Sequence, residues 1–317
     1  MRSIFLTVMA ACFYASQACA WSEAGHKTTA EIAFDLLSEK DQQHVAAILR
    51  AHPRFREDFF ARMPGAIKNA GATDKARWIF VQASIWPDII QNLGEDVRRQ
   101  YHHSTWHYIN LPVYLTEDDE LKLARQLDQN VSMEPVLPLQ NNLNLIQALK
   151  GNLLVWGDGS APDAARAMAL SWILHLAGDI HEPLHNVALF SRTYFPEGDR
   201  GGNLIAIRRG DDLTNLHAVW DGLSNRLDDV SPDEDTRKLL AKDVVDFESI
   251  DDWSRDHHQL AMEYAYTEEV KNKLLAQNSR EQNLQITLST EYLATAERVA
   301  RPAIIIAGHR IAALISN

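Results

Sequence analysis

Apolar side chains recur every three to four residues along much of the chain, which is the spacing that lines one face of an α-helix. The stretches with this pattern are 28–49, 139–154, 162–176, 234–245, 256–275 and 282–315. Segments in which apolar and polar residues alternate are scarce. The pattern therefore predicts an all-α fold.

Glycine and proline are concentrated between these stretches, at 63–71, 110–112, 195–202 and 210–212. These residues favour turns, and none of the four segments has the length or composition of an interdomain linker. With 317 residues, of which 46% are hydrophobic, the chain can bury a substantial core. We expect a single domain.

The first twenty residues have the composition of a secretory signal. A basic residue is followed by an apolar run at 4–14 and then by small residues that end in Ala20. This run is too short to span a bilayer comfortably. We predict a signal peptide at 1–20, whose removal leaves Trp21 as the first residue of a secreted or periplasmic domain at 21–317.

The positions of the cysteines and the net charge bear on how the domain is stabilised and on which ligands it can bind. Cys12 and Cys19 both lie in the predicted signal peptide, so the exported domain would have no disulfide to stabilise it. A bound metal is one candidate for that role.

The net charge of −12 is unusual for a protein that binds long duplexes, because such proteins neutralise phosphates with Lys and Arg. Metal ions can attract a phosphate locally instead.

Two pairs of His and Asp carry the strongest chemical signal. His175 and Asp179 are four residues apart at the end of an apolar helical stretch, and His217 and Asp221 repeat that spacing. Residues four apart lie on one face of a helix. Helices in bundles build metal sites from such inward-facing pairs, and His185 lies close by in the sequence. Together these residues predict a zinc site.

Further candidate ligands precede these pairs, and their order and spacing resemble those of the S1/P1 nuclease family. The matching positions are Trp21, His26, Asp88, His107, His175, Asp179, His185, His217 and Asp221. The resemblance extends from the predicted mature start to at least the last of these positions. It implies a single multi-helix domain of the phospholipase C/P1 nuclease type, built around three zinc ions.

The resemblance also implies how the zinc ions are shared. One would be held by Asp88, His107, His175 and Asp179, a second by His185, His217 and Asp221, and the third by the α-amino and carbonyl groups of Trp21 with His26 and Asp179. Asp179 would bridge two ions, and the free amine would exist only after the signal peptide is removed. His181 and Glu182 have no ligand role in this scheme, and we expect them to support the ligands or to be exposed.

The resemblance implies an endonuclease. From the signal-like segment we expect an exported protein without a membrane anchor once processed, and nothing in the sequence requires more than a monomer. It would cleave single-stranded DNA and RNA to products with 5′-phosphates and would also act on 3′-nucleotides. Asp88 is the carboxylate expected to orient the attacking water, and Tyr108, Asn110 and Asn203 are expected to contact substrate. Gln91 stands where family members often carry a basic side chain.

Several of these assignments have alternatives. Tyr108 could equally be a core aromatic residue, and the loop that contains Asn203 could be a purely structural tight turn. A zinc phospholipase C has a similar scaffold, but its last ligand is usually Glu where Asp221 stands here, and its first histidine lies further from the N-terminal Trp than His26. A zinc-stabilised domain without catalysis is the third alternative, although a site with only three protein ligands is open to water or substrate.

Overall fold

The computed structural model describes residues 21–226, 231–277 and 285–316. The predicted signal peptide, with Cys12 and Cys19, lies outside the described residues. Most of the described chain is helical, so the all-α prediction is confirmed. The α-helices are α1 (Glu23–Leu36), α2 (Glu39–Leu49), α3 (Gly65–Lys68), α4 (Ala72–Gln91), α5 (Glu95–Tyr101), α6 (Glu117–Leu123), α7 (Leu145–Gly157), α8 (Asp163–Asp179), α9 (Leu216–Asp221), α10 (Glu234–Leu240), α11 (Ser249–Leu260), α12 (Glu268–Leu275) and α13 (Thr290–Ile315).

Short strands and tight helical turns join these helices. The strands are β1 (Pro112–Tyr114), β2 (Ala188–Phe190), β3 (Ala206–Arg209), β4 (Asp212–Asn215) and β5 (Gln285–Ile286). β1 pairs in parallel with β2, and β3 pairs antiparallel with β4 and in parallel with β5. The 3₁₀ turns are Phe60–Arg62, Ser104–His107, Pro183–Asn186 and Gly222–Arg226, and the π-helical turns are Phe55–Phe59 and Ala261–Ala265.

Some predicted helices are divided where a polar side chain starts a new helix. The stretch 28–49 forms α1 and α2, because Leu37 is extended and the Ser38 hydroxyl accepts the amide hydrogen of Asp41 at 3.1 Å. The stretch 256–275 is likewise divided between α11 and α12, and the side chain of Thr267 caps α12. Apolar periodicity alone misses such breaks when both helices pack on the same core.

Other helices begin or end at different residues from those predicted. The stretch 139–154 forms α7, which begins only at residue 145 because Asn144 and Gln147 form a capping box there. The stretch 234–245 ends as a helix at Leu240. The last helix begins at residue 290, where the Ser289 hydroxyl accepts the amide hydrogen of Tyr292 at 3.0 Å.

The longest helix that the periodicity did not predict is α4. It spans 20 residues and contains Pro87, which cannot donate the helical hydrogen bond to the carbonyl of Ala83. Much of its second half is buried. This helix places Asp88 in its last turn.

The buried apolar residues form two large groups. One lies among α1, α2, α4, α7 and α8. The other lies among β3, β5, α9, α12 and the first half of α13, and includes Trp21. Chain neighbours of the candidate ligands belong to both groups: Trp86 and Leu176 to the first, Leu184 and Leu216 to the second. Among the described residues, no helix combines the length and apolar character that a membrane span requires.

Candidate metal centre

His175 and Asp179 face inward from the last turns of α8, and both are fully buried. The Nδ1–H of His175 donates to the carbonyl of Ser84 in α4 at 2.8 Å. Its other nitrogen, Nε2, lies 3.6 Å from Asp88 Oδ1 and 3.5 Å from Asp179 Oδ2. A histidine fixed through one nitrogen with the other among carboxylates has the arrangement of a metal ligand.

His107 brings a second imidazole to the same carboxylates. It ends the turn Ser104–His107, and its Nδ1 lies 3.2 Å from Asp179 Oδ2 and 3.0 Å from His175 Nε2. Asp88, His107 and His175 each offer one ligand atom, and these atoms all lie within 4.8 Å of one another. The spacing suits a single ion.

His26 approaches α8 from α1. Its Nε2 lies 3.3 Å from Asp179 Oδ1, and its ring stacks on His175 with centroids 4.0 Å apart. Gly178 permits this approach, because a Cβ atom there would lie 2.8 Å from His26 Nδ1. Trp21 is buried nearby in the second apolar group, and the amide of Ser22 donates to the carbonyl of Asp221 at 3.2 Å. The predicted mature start therefore runs beside the last candidate ligand.

His185 and His217 form the other part of the centre, with ring centroids 4.8 Å apart. The Nδ1–H of His185 donates to the carbonyl of His107, and that of His217 donates to the carbonyl of Gly201 at 2.7 Å. Both Nε2 atoms are buried and lack a hydrogen-bond partner within the described part of the chain. Backbone carbonyls thus orient the two rings, and each ring keeps its Nε2 atom available to bind a metal ion.

The glycine-rich loop at 199–203 fixes His217. Asp199 is buried and accepts hydrogen bonds from the Tyr266 hydroxyl at 2.7 Å and from the amide of Gly202 at 2.9 Å. Arg200 and Gly201 have φ angles of +59° and +60°. A Cβ at Gly201 would lie 2.5 Å from the carbonyl oxygen of Leu184, so only glycine fits. The loop therefore has a structural role in the centre, whatever else it contacts.

Glu182 and Asp221 are the carboxylates nearest this pair of histidines. Asp221 Oδ2 lies 3.7 Å from His217 Nε2. Glu182, His185 and His217 offer ligand atoms that all lie within 4.8 Å of one another. The sequence did not identify Glu182 as a candidate ligand. In the sequence, the only feature that could have indicated it is its position three residues before the candidate ligand His185.

Of the two alternatives expected for His181 and Glu182, exposure is excluded, since both are fully buried. His181 Nδ1–H donates to the carbonyl of Ala177 at 2.7 Å, and its Nε2 accepts a hydrogen bond from Arg310 at 3.0 Å. His181 therefore supports the end of α8. Their burial follows from the turn Pro183–Asn186, which folds back against α11.

Burial without a cation disfavours the charged forms of several of these groups. It raises the pKa of Asp88 to about 6 and that of Asp179 to about 7. It also lowers the pKa of His175 and His185 well below the usual value, so these imidazoles are neutral with a lone pair free. Buried carboxylates and neutral imidazoles that lack partners need a cation, and nitrogen with oxygen donors suits zinc. The residues therefore fit the metal that the motifs predict.

Comparison with known proteins identifies the family. Residues 21–317 match the family model described as S1/P1 Nuclease. The chain belongs to the S1/P1 nuclease family. The resemblance to this family is thereby confirmed, and a nuclease is favoured over the phospholipase C alternative.

Individual relatives in this family are distant. The chain is 24% identical over 320 residues to Endonuclease 1 of Arabidopsis thaliana, across 94% of this chain and 86% of the relative. It is 23% identical over 223 residues to Endonuclease 5 of the same plant, across 70% of this chain and 62% of the relative. It is 37% identical over 62 residues to Nuclease S1 of Aspergillus oryzae (strain ATCC 42149 / RIB 40), across 19% and 18%. The chain matches less than two thirds of the length of Endonuclease 5 and of Endonuclease 4.

The predicted substrate contacts of this S1/P1 family member lie in loops around the centre. Tyr108 directly follows His107 and is 36% exposed, which is more than a core aromatic residue would be. The side-chain amide of Asn110 donates to Gln129 at 3.1 Å, and that of Asn203 donates to the carbonyl of Arg200 at 2.8 Å. Their contact with substrate remains a prediction.

Proposed function

We propose that the protein is an exported, zinc-dependent endonuclease. It hydrolyses phosphodiester bonds of single-stranded DNA and RNA, leaves 5′-phosphates and also acts on 3′-nucleotides. The observation that supports this most is a buried cluster of histidines and carboxylates that reaches solvent at two carboxylates. The Asp88 and Asp221 side chains are 15% and 12% exposed, whereas Asp179 and His175 are fully buried. A site that only stabilised the fold would have no need of this opening.

Three zinc ions would be distributed over the predicted ligands. The proposed sets are Asp88, His107, His175 and Asp179 for one ion, His185, His217 and Asp221 for another, and Trp21, His26 and Asp179 for the third. Zinc held there supplies Lewis-acid charge for a phosphate oxyanion and makes bound water more acidic. The negative net charge of the chain then does not prevent binding of nucleic acid, because the zinc ions would attract phosphate locally.

Asp88 is the proposed catalytic carboxylate. It is the most exposed of the carboxylates around His175, so one of its oxygens can reach a water molecule at the opening. As a zinc ligand it would be ionised and able to accept a hydrogen bond from that water. The role is orientation of the water towards phosphorus.

Tyr108 is the proposed base-stacking residue. Its exposed ring would stack on an unpaired base, and stacking of this kind is tolerant of sequence but excludes paired bases. Asn110 and Asn203 would provide polar contacts beside it. This combination explains a preference for single strands.

Export is part of the proposal. The α-amino group of Trp21 can bind an ion only after residues 1–20 are removed, so processing would complete the centre. A protein with one extra residue before Trp21 is expected to bind one zinc fewer and to lose most of its activity. We propose a secreted or periplasmic monomer.

The test is digestion of single-stranded DNA, single-stranded RNA and duplex DNA by protein purified after export, before and after zinc chelation, with analysis of product ends. We expect chelation-sensitive cleavage of the single strands to 5′-phosphates, and loss of cleavage in Asp88→Asn. No cleavage by fully zinc-loaded protein would overturn the proposal. Hydrolysis of phosphatidylcholine by that same preparation would then identify a phospholipase.

A further inference from the structure

Tyr108 and Arg200 lie in two different loops beside the imidazoles of His185 and His217. The residue before Tyr108 is His107, whose carbonyl accepts from the Nδ1–H of His185. The carbonyl of the residue after Arg200 accepts from the Nδ1–H of His217 at 2.7 Å. The two rings have centroids 4.8 Å apart. The side chains of Tyr108 and Arg200 therefore both start within one residue of the backbone groups that orient this ligand pair.

The backbone of Arg200 has a conformation that favours glycine. Its φ angle is +59°, and within the part of the chain that the structure describes it is the only residue other than glycine with a positive φ angle. The side-chain amide of Asn203 donates to its carbonyl at 2.8 Å, and the buried carboxylate of Asp199 accepts the amide hydrogen of Gly202 at 2.9 Å. The chain thus carries a long cationic side chain where glycine would be less strained. Strain held in place beside a functional centre points to a use of the side chain.

The guanidinium group of Arg200 is exposed and lacks an anionic partner. Among the described residues it forms no ion pair or side-chain hydrogen bond, whereas Arg54 and Arg310 each bind a carboxylate through two nitrogen atoms. Its charge acts on the hydroxyl of Tyr108, since burial raises the pKa of that group and the positive charge of Arg200 opposes the rise. A cation without a carboxylate partner therefore lies near the exposed ring of Tyr108.

We propose that Arg200 binds a phosphate of the substrate strand, next to the nucleotide whose base stacks on Tyr108 and distinct from the phosphate that is cleaved. The inference rests on the proposed function and adds a substrate contact to the same site. A guanidinium group suits this role, because its planar set of N–H donors matches two phosphate oxygens and its charge is permanent. The zinc ions would hold the scissile phosphate, so Arg200 contributes to binding of the strand and not to the chemical step.

A phosphate contact of this kind has two signatures. It is indifferent to base sequence, because every nucleotide carries the same phosphate. It also weakens with salt, because each neutralised phosphate of a single strand contributes about 0.7 to the slope of log affinity against log salt concentration. A contact between Arg200 and a base edge would instead favour guanine, which offers two acceptors to a guanidinium group.

The main variant is Arg200→Gln, and Arg200→Gly is the second variant because glycine accepts the φ angle of +59°. Arg255→Gln is the control, since the side chain of Arg255 is 59% exposed and pairs with Asp252 in α11. Equilibrium binding is measured with two fluorescent single-stranded decamers, one with and one without guanine. The protein is purified after export and carries Asp88→Asn, so that cleavage is expected to be lost. Cleavage of a decamer and of a dinucleoside monophosphate, whose only phosphate is the scissile one, is compared in protein that retains Asp88.

We expect loss of the Arg200 guanidinium group to weaken binding of both decamers and to reduce the salt slope by about 0.7. The difference from protein with Arg200 then grows about 5-fold as salt falls from about 1 M to about 0.1 M. Cleavage of the decamer should show a matching rise in KM at unchanged kcat. Cleavage of the dinucleoside monophosphate and the zinc content should stay as in the wild type, and Arg255→Gln should change none of these quantities.

Four results would overturn the proposal. They are unchanged binding of both decamers, a loss confined to the strand with guanine, an equal loss on the dinucleoside monophosphate, and a fall in zinc content in Arg200→Gly. The last would mean that Arg200 supports the loop rather than the substrate. Because binding is measured without cleavage, a wild-type protein that binds strands through Arg200 but cleaves nothing would refute the proposed nuclease and leave this assignment standing.

Discussion

The two sides of the metal centre present similar ligands by different means. On the helix side, His175 and Asp179 belong to the 17-residue helix α8, and Asp88 to the 20-residue helix α4. On the loop side, His185 lies in a four-residue 3₁₀ turn and His217 in a six-residue helix. Helix packing fixes the first set, whereas the second depends on backbone carbonyls in loops. Changes to loop backbone should therefore disturb the centre more than equal changes in a helix.

The largest expected effect comes from the helix side. Asp179 has oxygens within 3.5 Å of ring nitrogens of His26, His107 and His175. Asp179→Asn removes the charge that would offset two ions, so we expect zinc content to fall and cleavage to drop roughly 10²- to 10³-fold, as when a preorganised electrostatic group is lost.

The matched control for this variant is Asp163→Asn at the start of α8. The side chain of Asp163 is 65% exposed, and its substitution tests general effects on the same helix. Elemental analysis of zinc and single-turnover cleavage measure both proteins. Full zinc occupancy in folded Asp179→Asn would contradict a bridging role.

The next largest effect is expected for substitutions on the loop side, where Gly201 and Gly210 form a matched pair. Both have positive φ angles, of +60° and +62°, but only Gly201 has a close neighbour, since a Cβ added there would lie 2.5 Å from the carbonyl oxygen of Leu184. Gly210→Ala should cost about 1 to 2 kcal/mol in unfolding free energy from backbone strain alone. Gly201→Ala should cost about 1 to 3 kcal/mol more through the clash.

The same pair tests whether the loop orients the ligand. Gly201→Ala displaces the carbonyl that accepts from His217 Nδ1, so zinc affinity should fall about 10- to 100-fold, while Gly210→Ala leaves it unchanged. Urea unfolding measures the stability, and chelator competition measures the affinity. Equal zinc affinity in the two variants would show that the carbonyl of Gly201 does not hold the histidine.

The sequence predicted the helix side better than the loop side. The spacing of His175 and Asp179 within an apolar stretch indicates one inward helical face, and the structure places both there. Glu182 escaped prediction because its burial depends on a turn that folds against α11, a contact between residues far apart in the chain. Helix α4 was missed because Pro87 argues against a helix.

A smaller effect is expected for Gly178 on the helix side. A Cβ there would lie 2.8 Å from His26 Nδ1, so Gly178→Ala must displace the His26 ring. The overpacking cost of about 1 to 3 kcal/mol is partly offset by the helix propensity of Ala, which contributes about 1 kcal/mol. Gly157→Ala, at the end of α7 with no neighbour within 4 Å, is the control and should be neutral or stabilising.

The readout for Gly178→Ala is the number of zinc ions retained as well as the unfolding free energy. Because His26 belongs to one proposed site only, we expect the loss of one ion and the retention of the others. Loss of every ion would mean that the helix side is one cooperative unit rather than separable sites. Retention of every ion would exclude His26 as a ligand.

A pH-dependent effect is expected in the core behind the helix side. His52 is buried against Trp86, with ring centroids 4.4 Å apart, and burial lowers its pKa to about 3. In the unfolded chain this pKa returns to about 6.5, so below that pH the unfolded state gains a proton that the folded state does not take up. The neutral ring thus contributes stability that is complete above pH ~6.5 and is lost as the pH falls towards ~3.

His52→Gln removes this titration, so it isolates the effect of one imidazole. Between about pH 7 and about pH 4.5 we expect the wild type to lose about 2.5 kcal/mol of unfolding free energy relative to the variant. Urea unfolding of both proteins at the two pH values measures the difference, and contributions from all other groups cancel. A constant difference would mean that His52 becomes protonated within the fold. In that case the core behind α4 would admit water, and the rigidity ascribed to the helix side could not come from dry packing.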